Sequence, residues 1–381
     1  MKNFKLSMLL FVFSFMLFSC SKDEDNATII PAPTGILNLT GKVMAPNNSF
    51  PISRAKIRIY KDDVLISEKT SDAVGSFLAD KLPSGNLRVE LSKGKFKRNL
   101  DINLQDDYEL TASQSNLTLL PKIAVVTGYY DEIEQVLVNI GVVDPLTGAP
   151  DFDILSGASR GVANVDVKSD SHQHGDMPTN RSATSLPPNV AFTFTELLSD
   201  PALLDDYDII FLNCGANESL AANPVAVANL KSYIENGGIV YATDWMFKYI
   251  QAMFNGNDYL NFAQPERAGN SLTANAHVLN ADLIVWLAAL GIDVDPTIQI
   301  NGFLSSWQMV DTFNATNVTN WLVADNVTYS GNFLIDKSLA FTFTHGEGGV
   351  FYSSFHTHGN DPSENVIRNM MNYFIFELSD L

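Results

Sequence analysis

Cysteine is nearly absent: Cys20 and Cys214 are the only two in 381 residues. Two thiols exclude a disulfide-rich scaffold and any Cys-based zinc cluster. Positive charge is scarce as well. Against 43 Asp and Glu stand 24 Lys and Arg, a formal net charge of −19. That balance excludes a general nucleic-acid binder, whose phosphate contacts need clustered Lys and Arg. Beyond the first 20 residues, no run reaches the ~18 consecutive apolar residues of a membrane-spanning helix. Histidine is rare, with six in the chain. Apolar residues are abundant, 46% hydrophobic against 18% charged, which suits a sizeable core and excludes a disordered chain. The length, 381 residues, fits two to three domains.

The first 20 residues are not part of a fold. Lys2 and Lys5 precede an apolar run from Met8 to Phe18, too short to span a bilayer and matching the apolar region of a secretory signal. The run ends in Leu17-Phe18-Ser19-Cys20, which resembles the lipobox of bacterial lipoproteins. That resemblance implies that Cys20 becomes the first residue of the mature protein and carries the lipid, and two or more acyl chains on one residue anchor stably where one does not. Ser21-Lys22-Asp23-Glu24-Asp25-Asn26 resembles the acidic surface-export tag of lipoproteins in one group of Gram-negative bacteria. The expected location is the outer membrane, lipid-anchored and facing the exterior. Residues 21–34, with Pro31 and Pro33, read as an extended tether.

Residues 35–120 carry twelve Lys and Arg and ten Asp and Glu, whereas residues 121–381 carry nine basic and thirty acidic residues. This asymmetry places a boundary near Pro121. The basic segment alternates: Ile57 and Ile59 between Lys56, Arg58 and Tyr60, then Leu87-Val89-Leu91 and Leu100-Ile102-Leu104, with turn signals between the runs. Period-two runs at this spacing predict a small antiparallel β-sandwich. Gly41-Lys42-Val43, the run from Pro51 to Ile59, and Thr70 to Phe77 with its Asp72…Gly75 turn resemble the carboxypeptidase-regulatory-like module. That resemblance implies a transthyretin-like sandwich with no catalytic residues of its own. Lys93, Lys95, Lys97 and Arg98 read as a solvated face, with docking to an acidic envelope polymer as the sharper alternative.

From Lys122 the period changes. Ile123 to Thr127, Asp208 to Asn213, Ile239 to Thr243 and Gly349 to Phe355 read as short buried strands. Asp131 to Ile140, Val225 to Asn236 and Glu364 to Leu378 read as helices, and Gly237-Gly238 ends the second. Strand–helix alternation predicts a three-layer α/β domain over 121–381 with a parallel sheet. Residues 252–335 are the least readable part: Ala281 to Leu290 reads as a helix and Val323 to Ile335 as including strands. Trp286, Trp307 and Trp321 fall there, with core as their expected fate and sugar stacking as the alternative.

Ligands gather at the C-terminal ends of parallel strands. The residues there are Gly128-Tyr129-Tyr130, Asn213-Cys214-Gly215, Thr243-Asp244-Trp245 and His356-Thr357-His358. Asp206 to Gly215, Leu230 to Val240 and Gly349 to His356 resemble the class I glutamine-amidotransferase-like superfamily, nearest its ThuA-like branch. The resemblance implies a flavodoxin-like fold. Amidotransferases of this class carry a Cys on the sharp turn after the strand that follows Gly-Gly; here Ala242-Thr243-Asp244-Trp245 stands in that place. Glutaminase activity is therefore not expected. Cys214 falls one strand earlier, where the family builds its oxyanion loop, and His356 matches the family's catalytic His. An Asp at a helix start is by default an N-cap; the alternative for Asp244 is a nucleophile or base.

Four histidines form two H-x-H pairs, His172/His174 and His356/His358. Residues two apart in extended chain face one way, so each pair could offer two imidazoles to a divalent metal; surface and hydrogen-bonded core histidines are the plainer reading. The expectation is a noncatalytic binding or scaffolding protein, without an assigned cofactor. Its membrane contact runs through Cys20, a polysaccharide or envelope protein is the partner, and the binding face is Tyr129, Asn213, Asp244, Trp245, His356 and His358. The alternative is a hydrolase of sugar or amide bonds using Asp244 or a His-based metal site, with Asp244 and His356 as the catalytic candidates.

Overall fold

The computed structural model describes residues 36–157, 186–254, 258–357 and 365–378. Cys20, His172, His174 and His358 lie outside these.

Seven strands open the described chain: β1 (Leu37–Lys42), β2 (Lys56–Lys61), β3 (Val64–Thr70), β4 (Ser76–Leu82), β5 (Gly85–Lys93), β6 (Phe96–Leu104) and β7 (Tyr108–Glu109), followed by α1 (Ala112–Ser115). They form two sheets, β3-β2-β5-β6 and β4-β1-β7. The first is antiparallel throughout; in the second, β7 joins β1 in parallel. Alternation sets the inner face: Ile57, Ile59, Leu87, Val89 and Leu91 are buried. The turn before β4 depends on two residues. Asp72 Oδ1 accepts from Val74 N at 2.9 Å and Ser76 N at 2.8 Å, and Gly75 takes φ +81°. A Cβ on Gly75 would lie 2.7 Å from the Val43 carbonyl oxygen, so both the φ and the space require glycine.

The rest of the described chain contains β8 (Ile123–Thr127), α2 (Ile133–Asn139), β9 (Asp153–Ser156), α3 (Phe194–Ser199), α4 (Pro201–Asp205), β10 (Ile209–Leu212), α5 (Pro224–Glu235), β11 (Ile239–Thr243), α6 (Phe247–Met253), β12 (Leu260–Phe262), β13 (Leu272–Val278), α7 (Ala281–Ala289), β14 (Ile298–Phe303), β15 (Val310–Phe313), β16 (Thr319–Tyr329), β17 (Asn332–His345), β18 (Gly348–Ser353) and α8 (Asn365–Leu378). Among the described residues nine of these strands make one sheet, in the order β14-β13-β16-β17-β18-β11-β10-β8-β9. The run β9-β8-β10-β11-β18 is parallel. From β18 outward the pairing is antiparallel.

The antiparallel half comes mostly from 272–345, which overlaps the least readable stretch, 252–335. The strands there are mixed in character. In β17 the first half is largely exposed and Ser338 to Phe343 is buried on both faces, so no single alternation runs along it. Trp286, Trp307 and Trp321 are core residues, not an exposed stacking surface.

The period-two geometry of a strand divides the interior in two. Ile123, Val125, Ile209, Phe211, Ile239 and Tyr241 face a core shared with α2, α7 and α8. Ala124, Val126, Ile210, Leu212, Val240 and Ala242 face a core shared with α3 to α6. The first core continues without a break into the sandwich. Phe50 packs edge-on against Trp286 at 5.6 Å and Phe376 at 5.9 Å, and Trp286 Nε1 donates to the Pro51 carbonyl at 2.8 Å.

The charge asymmetry acts across this contact. Arg54 Nε reaches Asp282 at 2.7 Å, Lys93 Nζ reaches Glu377 at 2.9 Å and Lys95 Nζ lies 3.6 Å from Asp208. Within the row Lys93, Lys95, Lys97 and Arg98, Lys93 is buried whereas Lys95 and Lys97 stay exposed. Two of its members meet carboxylates of the chain's own second half, and Arg98 Nη1 donates to Thr118 Oγ1 at 2.7 Å.

Candidate functional site

The C-terminal ends of β8, β10, β11 and β18 converge because those strands are neighbours in the parallel run. Their loops touch closely. A Cβ on Gly128 would lie 2.0 Å from the Cys214 carbonyl oxygen, so the turn after β8 can press on the turn after β10 only with glycine there.

Asp131 ties these ends together. It is 3% exposed. Its Oδ2 accepts from the Cys214 backbone N–H at 2.8 Å and from Thr243 Oγ1, and its Oδ1 accepts from the Thr357 N–H at 2.8 Å. One carboxylate thus satisfies donors at the ends of β10, β11 and β18. Asn213 Nδ2 donates to Glu134 Oε2 at 3.0 Å in the same buried layer. In the sequence Asp131 and Glu134 look only like an acidic start to a helix; nothing local signals partners about 80 to 230 residues away.

Asp244 does not cap a helix. It sits at φ +38°, a conformation costly for a non-glycine residue, on the turn between β11 and a 3-10 segment, Asp244–Met246, that leads into α6. Its Oδ1 accepts from the Gln308 backbone N–H at 2.7 Å. Its Oδ2 lies 3.3 Å from His356 Nε2 and 3.9 Å from Cys214 Sγ. The side chain therefore turns away from its own helix, whose first N–H groups a cap would serve, towards neighbouring strand ends. Gln308 comes from the least readable stretch, and no sequence signal pointed to it.

Cys214, Asp244 and His356 are all wholly buried, and one ligand atom from each lies within 4.8 Å of the others. The thiol's pKa is pushed well up by burial and, secondarily, by the Asp244 and Asp131 carboxylates. At neutral pH it is a thiol, and the thiol is a poor nucleophile.

The elbow is roofed by the chain's own side chains. Trp245, 6% exposed, donates from Nε1 to the Ser306 carbonyl at 2.8 Å. The Arg267 guanidinium lies 4.4 Å over the indole and pairs with Glu218. Tyr130 stands edge-on to Trp245 at 5.8 Å and 5.9 Å from the His356 ring. Of the expected binding face, the described members are Tyr129, Asn213, Asp244, Trp245 and His356. Only Tyr129 reaches solvent, 44% exposed. The structure brings Asp244 and His356 together, buries Asn213 against Glu134, and leaves Tyr129 outside. A cavity of about 250 Å³ opens alongside, between Gly157, Thr193, Glu196 and Asn217; neither Asp244 nor His356 lines it.

No family model matches the chain, and no curated protein matches it. Among solved structures it is similar to a ThuA-like protein from Bacteroides uniformis, at 10% identity over 67% of this chain and 90% of that one, TM-score 0.36. A GMP-synthase-subunit-A-type protein from Thermoplasma acidophilum is similar at 12% identity over 67% and 94%, TM-score 0.36. The 5-hydroxyisourate hydrolase of Klebsiella pneumoniae is similar at 13% identity over 19% of this chain and 85% of that one, TM-score 0.18.

Proposed function

We propose that this chain is a lipoprotein of the outer membrane, anchored through Cys20 and facing the exterior, whose amidotransferase-like domain binds or scaffolds and does not catalyse. The observation that carries the noncatalytic part is the state of Asp244. Its Oδ1 is engaged by the Gln308 N–H at 2.7 Å, its Oδ2 faces His356 at 3.3 Å, and Trp245 beside it is buried under Arg267. A nucleophile needs an open approach, and this carboxylate has none among the described residues. Burial, and then the neighbouring carboxylates, push the nearby thiol's pKa up.

Charge narrows the partner. Residues 121–381 carry nine basic against thirty acidic residues, so an acidic polymer is repelled. A neutral polysaccharide or a basic protein surface fits better, with Tyr129 as the exposed aromatic of the strand-end loops. The test is affinity electrophoresis of the full chain through gels cast with neutral polysaccharides, with assays for new reducing ends and for ammonia from glutamine. Retardation without turnover, reduced in Tyr129→Ala, supports the reading; turnover in either assay overturns it. Mass spectrometry of the N-terminal peptide tests the anchor: an acylated Cys20 supports it, and an unmodified one ends it.

The φ of +38° at Asp244 favours a second reading, a hydrolase in which Asp244 and His356 act as an acid–base pair. That reading requires turnover in the same assays and its loss in Asp244→Asn.

A further inference from the structure

We propose that Cys214, Asp244 and His356 form a binding site for a single zinc-class divalent ion. The three side chains are contributed by the ends of β10, β11 and β18. The inference does not rest on the binding reading above; it concerns what the buried cluster holds, whether or not the domain turns over a substrate.

The geometry comes first. Zinc bonds of about 2.0–2.1 Å to N and O and about 2.3 Å to S, set at tetrahedral angles, put neighbouring ligand atoms roughly 3.3–3.7 Å apart. Here His356 Nε2 to Asp244 Oδ2 is 3.3 Å and Cys214 Sγ to the same oxygen is 3.9 Å, with all three ligand atoms inside 4.8 Å. Small side-chain rotations close the triangle around an ion. A single thiolate among mixed donors also lies outside the Cys-cluster class that the low cysteine count excludes.

The supporting bonds suit an ion. Gln308 N–H holds Asp244 Oδ1 at 2.7 Å, which leaves Oδ2 as the inward oxygen. Asp131 fixes the Cys214 backbone at 2.8 Å and the Thr357 backbone, next to His356, at 2.8 Å. Ligands oriented by such outer bonds are the usual construction of a metal site.

Chemistry selects the ion. Thiolate, imidazole and carboxylate together suit zinc and its neighbours, whereas magnesium and calcium require oxygens. On binding, the ion takes the place of the thiol proton, which leaves to solvent. One thiolate and one carboxylate then neutralise the two positive charges, so the buried cluster carries no net charge of its own. No oxidation or reduction is involved.

The experiment uses the full-length chain purified without chelator. Elemental analysis is expected to find near one zinc per chain. After chelator dialysis, added Co²⁺ should develop an intense near-ultraviolet thiolate-to-metal band with visible bands of tetrahedral intensity, and Zn²⁺ should raise the unfolding midpoint by about 3 °C or more. Cys214→Ser should abolish the thiolate band, and His356→Gln should weaken zinc binding at least tenfold. Should either variant fail to fold, the cobalt spectrum of the unaltered chain still decides. Absence of stoichiometric metal together with absence of a thiolate band overturns the site. So does metal bound equally well by Cys214→Ser. A site that fails while polysaccharide retardation persists leaves the binding reading standing, and the converse result separates them in the other direction.

Discussion

Lys93 Nζ lies 2.9 Å from Glu377 Oε1, with the lysine side chain 2% exposed. This ion pair joins β5 of the sandwich to α8 of the α/β layer, in the same seam where Phe96 packs on Phe376 at 4.6 Å.

Removing only the carboxylate leaves an ammonium in a closed site. Glu377→Ala is therefore expected to cost about 3 kcal/mol, whereas Lys93→Met with Glu377→Leu should come out near neutral, because a buried pair owes much of its gain to repaying its own desolvation. Urea unfolding of the two variants checks this. Equal losses in both would show that packing, not charge, holds the seam.

Asp131 accepts three donors on two oxygens. Asparagine keeps the shape but turns one oxygen into a donor, which then faces a backbone N–H whichever way the amide is placed. Asp131→Asn should lose about 2–4 kcal/mol of stability, with fast amide exchange at Cys214 or Thr357 by hydrogen–deuterium mass spectrometry. A variant as stable as the parent would remove Asp131 from its tying role.

The Cys214 thiol is buried and its pKa is raised by burial first and by neighbouring carboxylates second. Thiolate is the reactive form, so alkylation by iodoacetamide at mildly alkaline pH should be at least tenfold slower in the folded chain than in denaturant. Peptide mass mapping separates this site from Cys20. Rapid labelling of the folded chain would show an open, activated thiol.

Asp282 has its pKa lowered chiefly by the hydrogen bond from Arg54 and also by that charge, with burial opposing. A depressed carboxylate stabilises the fold above its unfolded value of about 3.9 and loses that contribution as pH falls through the folded value. Arg54 is half exposed, so the effect stays under about 1 kcal/mol. Arg54→Ala should reduce the drop in Tm between about pH 6 and about pH 3. An unchanged or larger drop would contradict the linkage.

Much of the fold is legible in local pattern. The alternation of β2 and β5 marks the sandwich face, and the unbroken apolar runs Ile123–Thr127 and Ile239–Thr243 mark strands covered on both sides. The helical reading of Val225 to Asn236 matches α5, with Leu230, Tyr233 and Ile234 inward; Val227, expected inward as well, is only half-buried because Ala226 takes the inner position. In the antiparallel half only the α7 helix and strands within Val323 to Ile335 were legible; the rest was not, because strands such as β17 cross from an exposed hairpin into the core and change pattern midway.

By itself the sequence determined β8, β10, β11 and β18 with helices α2, α5 and α8, though not β9, α3 or α4; it also determined the absence of a thiol at the elbow and the opposed charges of the two parts. These are local or compositional properties, carried by spacing of two or 3.6 residues and by residue counts. Only the tertiary structure decided that Asp244 faces His356 and Cys214 in a buried cluster, and that Asp131 binds three strand ends at once. Cys214 and Asp244 are 30 residues apart in the chain, and their meeting follows from the order β18-β11-β10-β8. Strand order arises from long-range packing, which no period along the chain records.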